Sequence, residues 1–379
     1  MPREMILNNA RIVLAEEVIT GSVAIRDGRI ADIASTTTQA GEDMEGDFLI
    51  PGLVELHTDH LERHYAPRPG VRWNPVASVL AHDAQIAASG ITTVFDALRI
   101  GLDEDADVEA QDVRHLADAI EESIAADRLR ADHFLHLRCE VSAPDCLAGF
   151  ALFEDDPHVK LASLMDHSPG QRQFTDLGAY EMYYRNKLKM SEDDFRRFCE
   201  RRRAESGQNS AANRRSIARG CRERGIILAS HDDATIEHVE EAAADGVRVA
   251  EFPTTAIAAS ASKEAGMAVL MGAPNVVRGG SHSGNVSARA LAEADKLDIL
   301  SSDYIPFSLV QAAFFLGEVV DGIGLPQAVA KVSKNPAEAV GLNDRGIIEP
   351  GRRADLVRVR LDEGIPVVRT VWREGARVA

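Results

Sequence analysis

The sequence predicts an α/β protein: a (β/α)8 TIM-type barrel with a small β-sandwich formed by both chain termini. Three observations carry this. Eight short apolar runs alternate with helix-forming stretches through the middle of the 379-residue chain. Both ends are instead rich in β-type alternation and tight turns. The first apolar run of the middle region ends in His57-Thr-Asp59, a pair of metal-binding side chains on one strand face, because residues i and i+2 of a strand point the same way.

At the N-terminus, Met5-Ile-Leu, Ala10-Arg-Ile-Val-Leu and Gly21-Ser-Val-Ala-Ile read as strands. Asp27-Gly28 between apolar runs is a hairpin signal. At the C-terminus, Ala354-Asp-Leu-Val-Arg-Val-Arg-Leu alternates with period two and is followed by Val367-Val-Arg-Thr-Val-Trp. One composite β domain from 1–50 and 346–379 accounts for both ends, with a barrel over 51–345. The barrel runs are 53–56, 92–95, 134–137, 159–164, 226–229, 247–250, 268–271 and 297–300. Between several of them lie amphipathic helical stretches, at 112–127, 193–203 and 235–245. Strand–helix alternation argues for parallel strands with crossovers, and eight repeats fit a closed barrel. Residues 168–219 are long for one crossover and hold Tyr180, Tyr183 and Tyr184. Such insertions shape active-site rims. Arg201-Arg-Arg203 reads as the solvated face of a helix.

Net charge is −18, from 42 Lys and Arg against 60 Asp and Glu. That balance argues against nucleic-acid or anionic-membrane partners, which need a positive footprint. It leaves room for a small anionic substrate met by a local Arg cluster. The four cysteines form no CxxC pair, so buried free thiols are expected rather than a disulfide framework. The N-terminus lacks a signal-peptide core and no stretch reaches the ~20 apolar residues of a membrane span. A cytoplasmic location is therefore expected. Oligomeric state leaves no visible mark, although barrels of this type often pair, and a homodimer stays open.

Barrel enzymes place catalytic groups at the C-terminal ends of strands. Run one ends in His57-Thr-Asp59, run three leads to Arg138-Cys-Glu140, run four to Asp166-His167, run five to Ser230-His231-Asp232-Asp233, and run eight to Ser301-Ser-Asp303. A single His is most often an ordinary hydrogen-bonded residue, and an acid after a strand is often a helix N-cap. Joint placement at five strand ends instead points to a metal site. Imidazole and carboxylate suit zinc, manganese or iron, and paired ions activate water for hydrolysis.

Phe48-Leu-Ile-Pro-Gly-Leu-Val-Glu-Leu-His57 and Gly346-Ile-Ile-Glu-Pro-Gly-Arg-Arg-Ala-Asp-Leu-Val357 resemble the entry to and return from the barrel in the amidohydrolase superfamily. The likeness spans nearly the whole chain. A narrower likeness rests on four segments. They are the stretch His57-Thr-Asp-His-Leu-Glu-Arg-His-Tyr-Ala-Pro-Arg-Pro-Gly-Val-Arg-Trp73, His136-Leu-Arg-Cys-Glu140, Asp166-His-Ser-Pro-Gly-Gln-Arg-Gln-Phe174 and Gly279-Gly-Ser-His-Ser-Gly-Asn285. It is to the diphosphatase branch that serves the carbon–phosphorus lyase pathway. This resemblance implies hydrolysis of a phosphorylated ribose, α-D-ribose 1-methylphosphonate 5-triphosphate, to the 5-phosphate and pyrophosphate. An amide or imide hydrolase of the same fold is the alternative.

The resemblance also implies two divalent metal ions, zinc by preference, held by His57, Asp59, Glu140, His167, His231 and Asp303. Asp303 would take the proton from water. Most members carry His-x-His on the first strand, where this chain has His57-Thr-Asp59. Many carry a bridging Lys on the fourth strand, which is missing here, and Glu140 is the better bridging candidate. Glu251 stands where a His is common, with its role open, and His60 and His64 compete with Asp59. A triphosphate requires cations, Arg above all, whose fork matches phosphate oxygens. The candidates are Arg63, Arg68, Arg72, Arg172, Lys187, Arg278 and His282.

Overall fold

The computed structural model describes residues 4–101, 110–172, 178, 180–181, 184–185, 189–281 and 284–379. The N-terminal strands are β1 Glu4–Val13, β2 Val18–Arg26, β3 Arg29–Ala34, β4 Glu42–Asp43 and β5 Phe48–Pro51. Eight parallel strands follow: β6 Leu53–Thr58, β7 Ile91–Ile100, β8 Asp132–Glu140, β9 Val159–Met165, β10 Ile227–His231, β11 Val249–Glu251, β12 Ala268–Gly272 and β13 Ile299–Ser301. The chain ends in β14 Leu356–Asp362, β15 Ile365–Arg373 and β16 Ala376–Arg377. All eight apolar runs are barrel strands.

The terminal strands join in one sheet, ordered β16-β15-β14-β5-β1-β2-β3 with β4 on β1. Its seam between the two ends of the chain is the antiparallel β5–β14 pair. Asp27 and Gly28 turn the β2–β3 hairpin with φ of 51° and 78°, the left-handed pair that a two-residue hairpin demands. The sheet curls until its two ends meet. Ile30 N donates to Arg352 O at 2.9 Å, and a Cβ on Gly375 would come within 2.9 Å of Ile25 Cγ2. Leu7, Ile12, Val23, Ile25, Leu49 and Trp372 fill the enclosed core. Asp132, at the start of β8, fastens the sheet to the barrel by accepting from Arg345 Nη1 at 2.6 Å and Arg353 Nη1 at 2.7 Å.

The barrel interior holds a layer of Val54, Leu56, Phe95, Leu161, Val249, Leu270 and Ile299. Strands run in the order β6 to β13. Thr58 and Asp303 close the circle through an isolated parallel bridge. Glu55, fully buried on β6, fills this seam. Its carboxylate accepts from Ser302 N at 2.5 Å, Ser301 Oγ at 2.8 Å and His57 N at 2.6 Å.

The helix expected over 193–203 extends from Glu192 to Arg224. Ser191 caps its start, and Gly225 ends it with φ of 68°. Its later turns carry few apolar residues, so they read as polar from sequence. They are nonetheless packed, through Asn213, Arg214, Ile217 and Cys221. Arg202 within the expected solvated run is itself buried. All four cysteines are buried free thiols. No helix among the described residues is long and apolar enough to cross a membrane.

Between the barrel wall and helix Pro75–Ala88 lies a buried polar chain. Asp96 on β7 accepts from His82 Nε2 at 2.7 Å and from His133 Nδ1 at 2.7 Å, and Asp83 faces His133 Nε2 at 3.3 Å. Burial would discharge His133, but the Asp96 and Asp83 carboxylates overcome it and push the imidazole up to about 9. A raised His contributes stability that is present below its unfolded value, near 6.5, and is lost as pH rises through about 9. Wild-type stability in urea is therefore expected to fall by on the order of 3 kcal/mol between these pH values, with His133→Asn showing a flatter profile. Parallel profiles would remove the charge from His133.

Candidate active site

The C-terminal ends of the strands surround a cavity of about 250 Å³. Its walls include His57, Arg99, Arg138, His167, His231, Asp232, Phe252, Arg278 and Asp303. Three wall residues just past β10, β11 and β13 have left-handed backbone, Asp232 at φ 58°, Phe252 at φ 52° and Asp303 at φ 56°. Such conformations cost about 1–3 kcal/mol each and persist where the surroundings impose them. Here Asp232 N donates to Glu251 O and Phe252 N to Leu270 O, both crossing to the neighbouring strand.

At the cavity, two groups of side chains bring possible metal-ligand atoms together. In the first, His167 Nε2 and His231 Nε2 lie 3.7 and 3.5 Å from Asp232 Oδ2. Ligand atoms on one tetrahedral ion are ~3.4 Å apart when metal–ligand bonds are 2.0–2.1 Å, so this spacing fits an ion. Asp232 Oδ2 is buried and makes no hydrogen bond among the described residues. The second group is His57, His136 and Glu251. Glu251 Oε1 is 3.1 Å from His57 Nδ1, and its Oε2 is 3.2 Å from His231 Nδ1, so this carboxylate touches both groups. Burial would raise Glu251, but His57 and His136 hold it well below the usual carboxylate range. Burial pushes His136 down to about 3, which keeps a neutral ring.

Glu140 does not stand between the two groups. It is fully buried behind His167, accepting from His167 Nδ1 at 2.6 Å, His167 N at 3.0 Å and Ser142 Oγ at 2.5 Å. Burial opposes its charge, but His167, Arg99 and Arg202 hold it ionised. For His167 burial is again outweighed, by Glu140 and Asp232, and the ring rises to about 9. Its Nδ1 proton is thus committed to Glu140 while Nε2 faces the cavity. This carboxylate–imidazole pairing orients metal-ligating histidines.

Asp59 also falls outside both groups. It lies past the end of β6, and its Oδ2 is 3.5 Å from Arg138 Nη1. Burial, and then the Asp59 carboxylate, push Asp303 up to about 7. Among the cations, Arg278 lines the cavity. Arg63 reaches over the ring of the wall residue Tyr304, at 5.8 Å. Arg68 is exposed in the loop beyond helix His60–Tyr65, and Arg72 pairs with Asp112 at 3.2 Å. Lys187 and His282 lie outside the described residues. Arg172 corrects expectation. It is buried and bonded to Asp233 and, at 2.9 Å, to Glu241. Its fork is consumed by a structural pairing and has little left for a phosphate.

Arg99, Arg138, His136 and Asp232 carry no role in the sequence reading. The available signal was position: Arg138, His136 and Glu140 alternate along one strand, and a charge inside an apolar strand demands a reason.

The amidohydrolase family profile matches residues 48–378, and the chain belongs to that family of metal-dependent hydrolases. Its sequence is 47% identical over 377 residues to the α-D-ribose 1-methylphosphonate 5-triphosphate diphosphatase of Escherichia coli (strain K12), covering 99% of this chain and 100% of that protein. Adenine deaminase of Nitratidesulfovibrio vulgaris (strain DP4) is 26% identical over 400 residues, with 58% of the deaminase covered. Among solved structures, N-acetyl-D-glucosamine-6-phosphate deacetylase from Mycobacterium smegmatis superposes with a TM-score of 0.66 at 16% identity, over 99% of both chains.

Two outcomes test the site. Arg172→Met is expected to cost about 3–5 kcal/mol of unfolding free energy, by stranding buried Asp233. A stable variant with a raised KM would return Arg172 to substrate binding. Glu140→Gln is expected to weaken metal binding roughly 10–100-fold in metal titrations, with activity regained at saturating metal. Unchanged affinity would detach Glu140 from the metal site.

Proposed function

We propose that this chain hydrolyses α-D-ribose 1-methylphosphonate 5-triphosphate, releasing pyrophosphate and leaving the 5-phosphate. The observation that carries this is the 47% identity to the Escherichia coli diphosphatase over the full length of both proteins. The cavity supports it: three Arg side chains, Arg99, Arg138 and Arg278, line the wall beside the His and Asp cluster. An amide bond would need no such collar, whereas a triphosphate does.

In this reading His167, His231 and Asp232 would hold one divalent ion, and His57, His136 and Glu251 would hold a second. Bound there, divalent ions supply an acidified water and neutralise phosphate charge. The protein's own groups do the rest. Asp303, at the closing strand, accepts the proton of the attacking water, a task suited to a carboxyl whose affinity for protons is raised. The three arginines fix the phosphate chain so that the bond to the leaving pyrophosphate lies opposite the water, and they compensate the charge gathering on it.

Phosphorus NMR with the ribosyl triphosphate is expected to show pyrophosphate as the released species. Orthophosphate alone, or no turnover with zinc, manganese or iron, would overturn the proposal. Arg138→Ala is expected to lower kcat/KM about 100-fold or more, and Asp303→Asn to lower kcat by about 100-fold or more at unchanged metal content.

A further inference from the structure

Of the three left-handed residues in the cavity wall, Asp232 and Asp303 are aspartates, which tolerate this backbone region better than most side chains. Phe252 is a bulky aromatic at φ 52°, a genuine outlier. Pro253 follows it, and a residue before proline is pressed toward extended backbone. Two local preferences are thus overridden at a side chain with no polar atom. A conformation imposed in this way calls for a role in the site.

The neighbours of the ring supply one. Its centroid is 5.1 Å from that of His57 at 87°, and 5.3 Å from that of His231 at 77°. The two imidazoles face each other at 5.5 Å and 23°. The three centroids make a nearly equilateral triangle, with the phenyl ring standing across two stacked imidazoles in the perpendicular geometry that aromatic pairs favour. Glu251 meets the same two rings, at 3.1 Å on His57 Nδ1 and 3.2 Å on His231 Nδ1. One hydrogen bond fixes a point on a ring and leaves its plane free to swing. A flat neighbour packed against the ring fixes the plane. Successive residues of a strand point to opposite faces, so Glu251 and Phe252 could not both reach these imidazoles from a regular strand. The left-handed turn at Phe252, held by its N–H donating to Leu270 O at 2.8 Å, brings them to the same side.

We propose that Phe252 is a positioning residue for the metal site: its ring locks the planes of His57 and His231, one imidazole from each ligand group. The inference rests on the two ligand groups of the proposed function and not on the substrate. Phe252 also packs against the core inside the barrel, but an apolar filler there would not need the turn. What the turn adds is a planar surface against both imidazoles. The two ligand groups are thereby tied through one side chain, and without the ring they weaken together.

The test is chelator titration of the Co2+-loaded full chain, followed by visible absorption, for the wild type, Phe252→Leu and Phe252→Gly. Leucine keeps an apolar side chain and loses the flat ring. Glycine adopts a φ of 52° freely, so it removes the ring and leaves the turn unstrained. Both variants are expected to hold Co2+ about 10–100-fold more weakly, the loss typical of groups that orient metal ligands, with an altered absorption spectrum at saturating metal. Wild-type affinity and spectrum in Phe252→Leu would reduce the ring to core filling and overturn the proposal. A wild type that takes up no Co2+ overturns the ligand groups themselves, and this inference with them. A crystal structure of the Co2+-loaded wild type answers independently of how the variants fold. The phenyl ring across both ligating imidazoles supports the proposal, and a ring turned away from either one refutes it.

Discussion

Closing the barrel is the step on which the rest of this molecule depends. The first and last barrel strands meet at a single bridge, between Thr58 and Asp303. So small a pairing needs reinforcement, and Glu55 supplies it with three donors from both sides of the seam. Burial drives this carboxyl up to about 7, so it binds the seam partly against its own desolvation. The geometry makes the cost useful. Glu55 is two residues before His57, and its partner Ser301 is two before Asp303. Closing the seam therefore brings His57 and Asp303 together in the cavity wall.

Charge at the site is arranged in layers. Glu140 lies fully buried behind His167, Glu251 lies fully buried between His57 and His231, and each is held ionised by the rings it faces. Of the imidazoles, His167 turns Nδ1 to Glu140 and Nε2 to Asp232, and His57 and His231 turn Nδ1 to Glu251. Arg99, Arg138 and Arg278 line the same cavity. A protein with net charge −18 thereby gathers three arginines around one cavity. The overall balance governs solubility and unspecific association, while the cavity's own field governs the ligand.

Sequence periodicity made the scaffold legible because a parallel barrel strand is buried on both sides and must be continuously apolar. Strand-end position made His57, His167, His231 and Asp303 legible for a related reason: polar groups are tolerated there only where the core opens. Glu140 and Asp59 were placed at the right strand ends, but their neighbours in space could not be read. Which of several acids stands between two rings depends on sub-ångström twist, and spacing along one strand carries no such information. Arg99 and Arg138 were missed because a charge within a strand is interpretable only when the opposite wall is known. Arg172 misled for the converse reason. Its segment is part of the likeness to the diphosphatase branch, yet Asp233 and Glu241, 61 and 69 residues away, take up its guanidinium.

The same long-range pairing explains why the segment after β9 can be long without losing the site. Arg202 from helix Glu192–Arg224 lies 3.8 Å from Glu140 and donates to Ser142 at 3.3 Å. Ser206 and Ser210, further along that helix, both donate to Asp166, next to His167. Asn213 donates to the carbonyls of Val141 and Ala143, just past the end of β8. Helical spacing thus lets one rigid element contact the ends of β8 and β9 at several points. A polar helix that would be unremarkable on a surface becomes the back wall of the histidine layer. Its polarity is the reason it works there: an apolar stripe at these positions would remove the Ser206 and Ser210 hydroxyls from Asp166 and the Arg202 charge from beside Glu140.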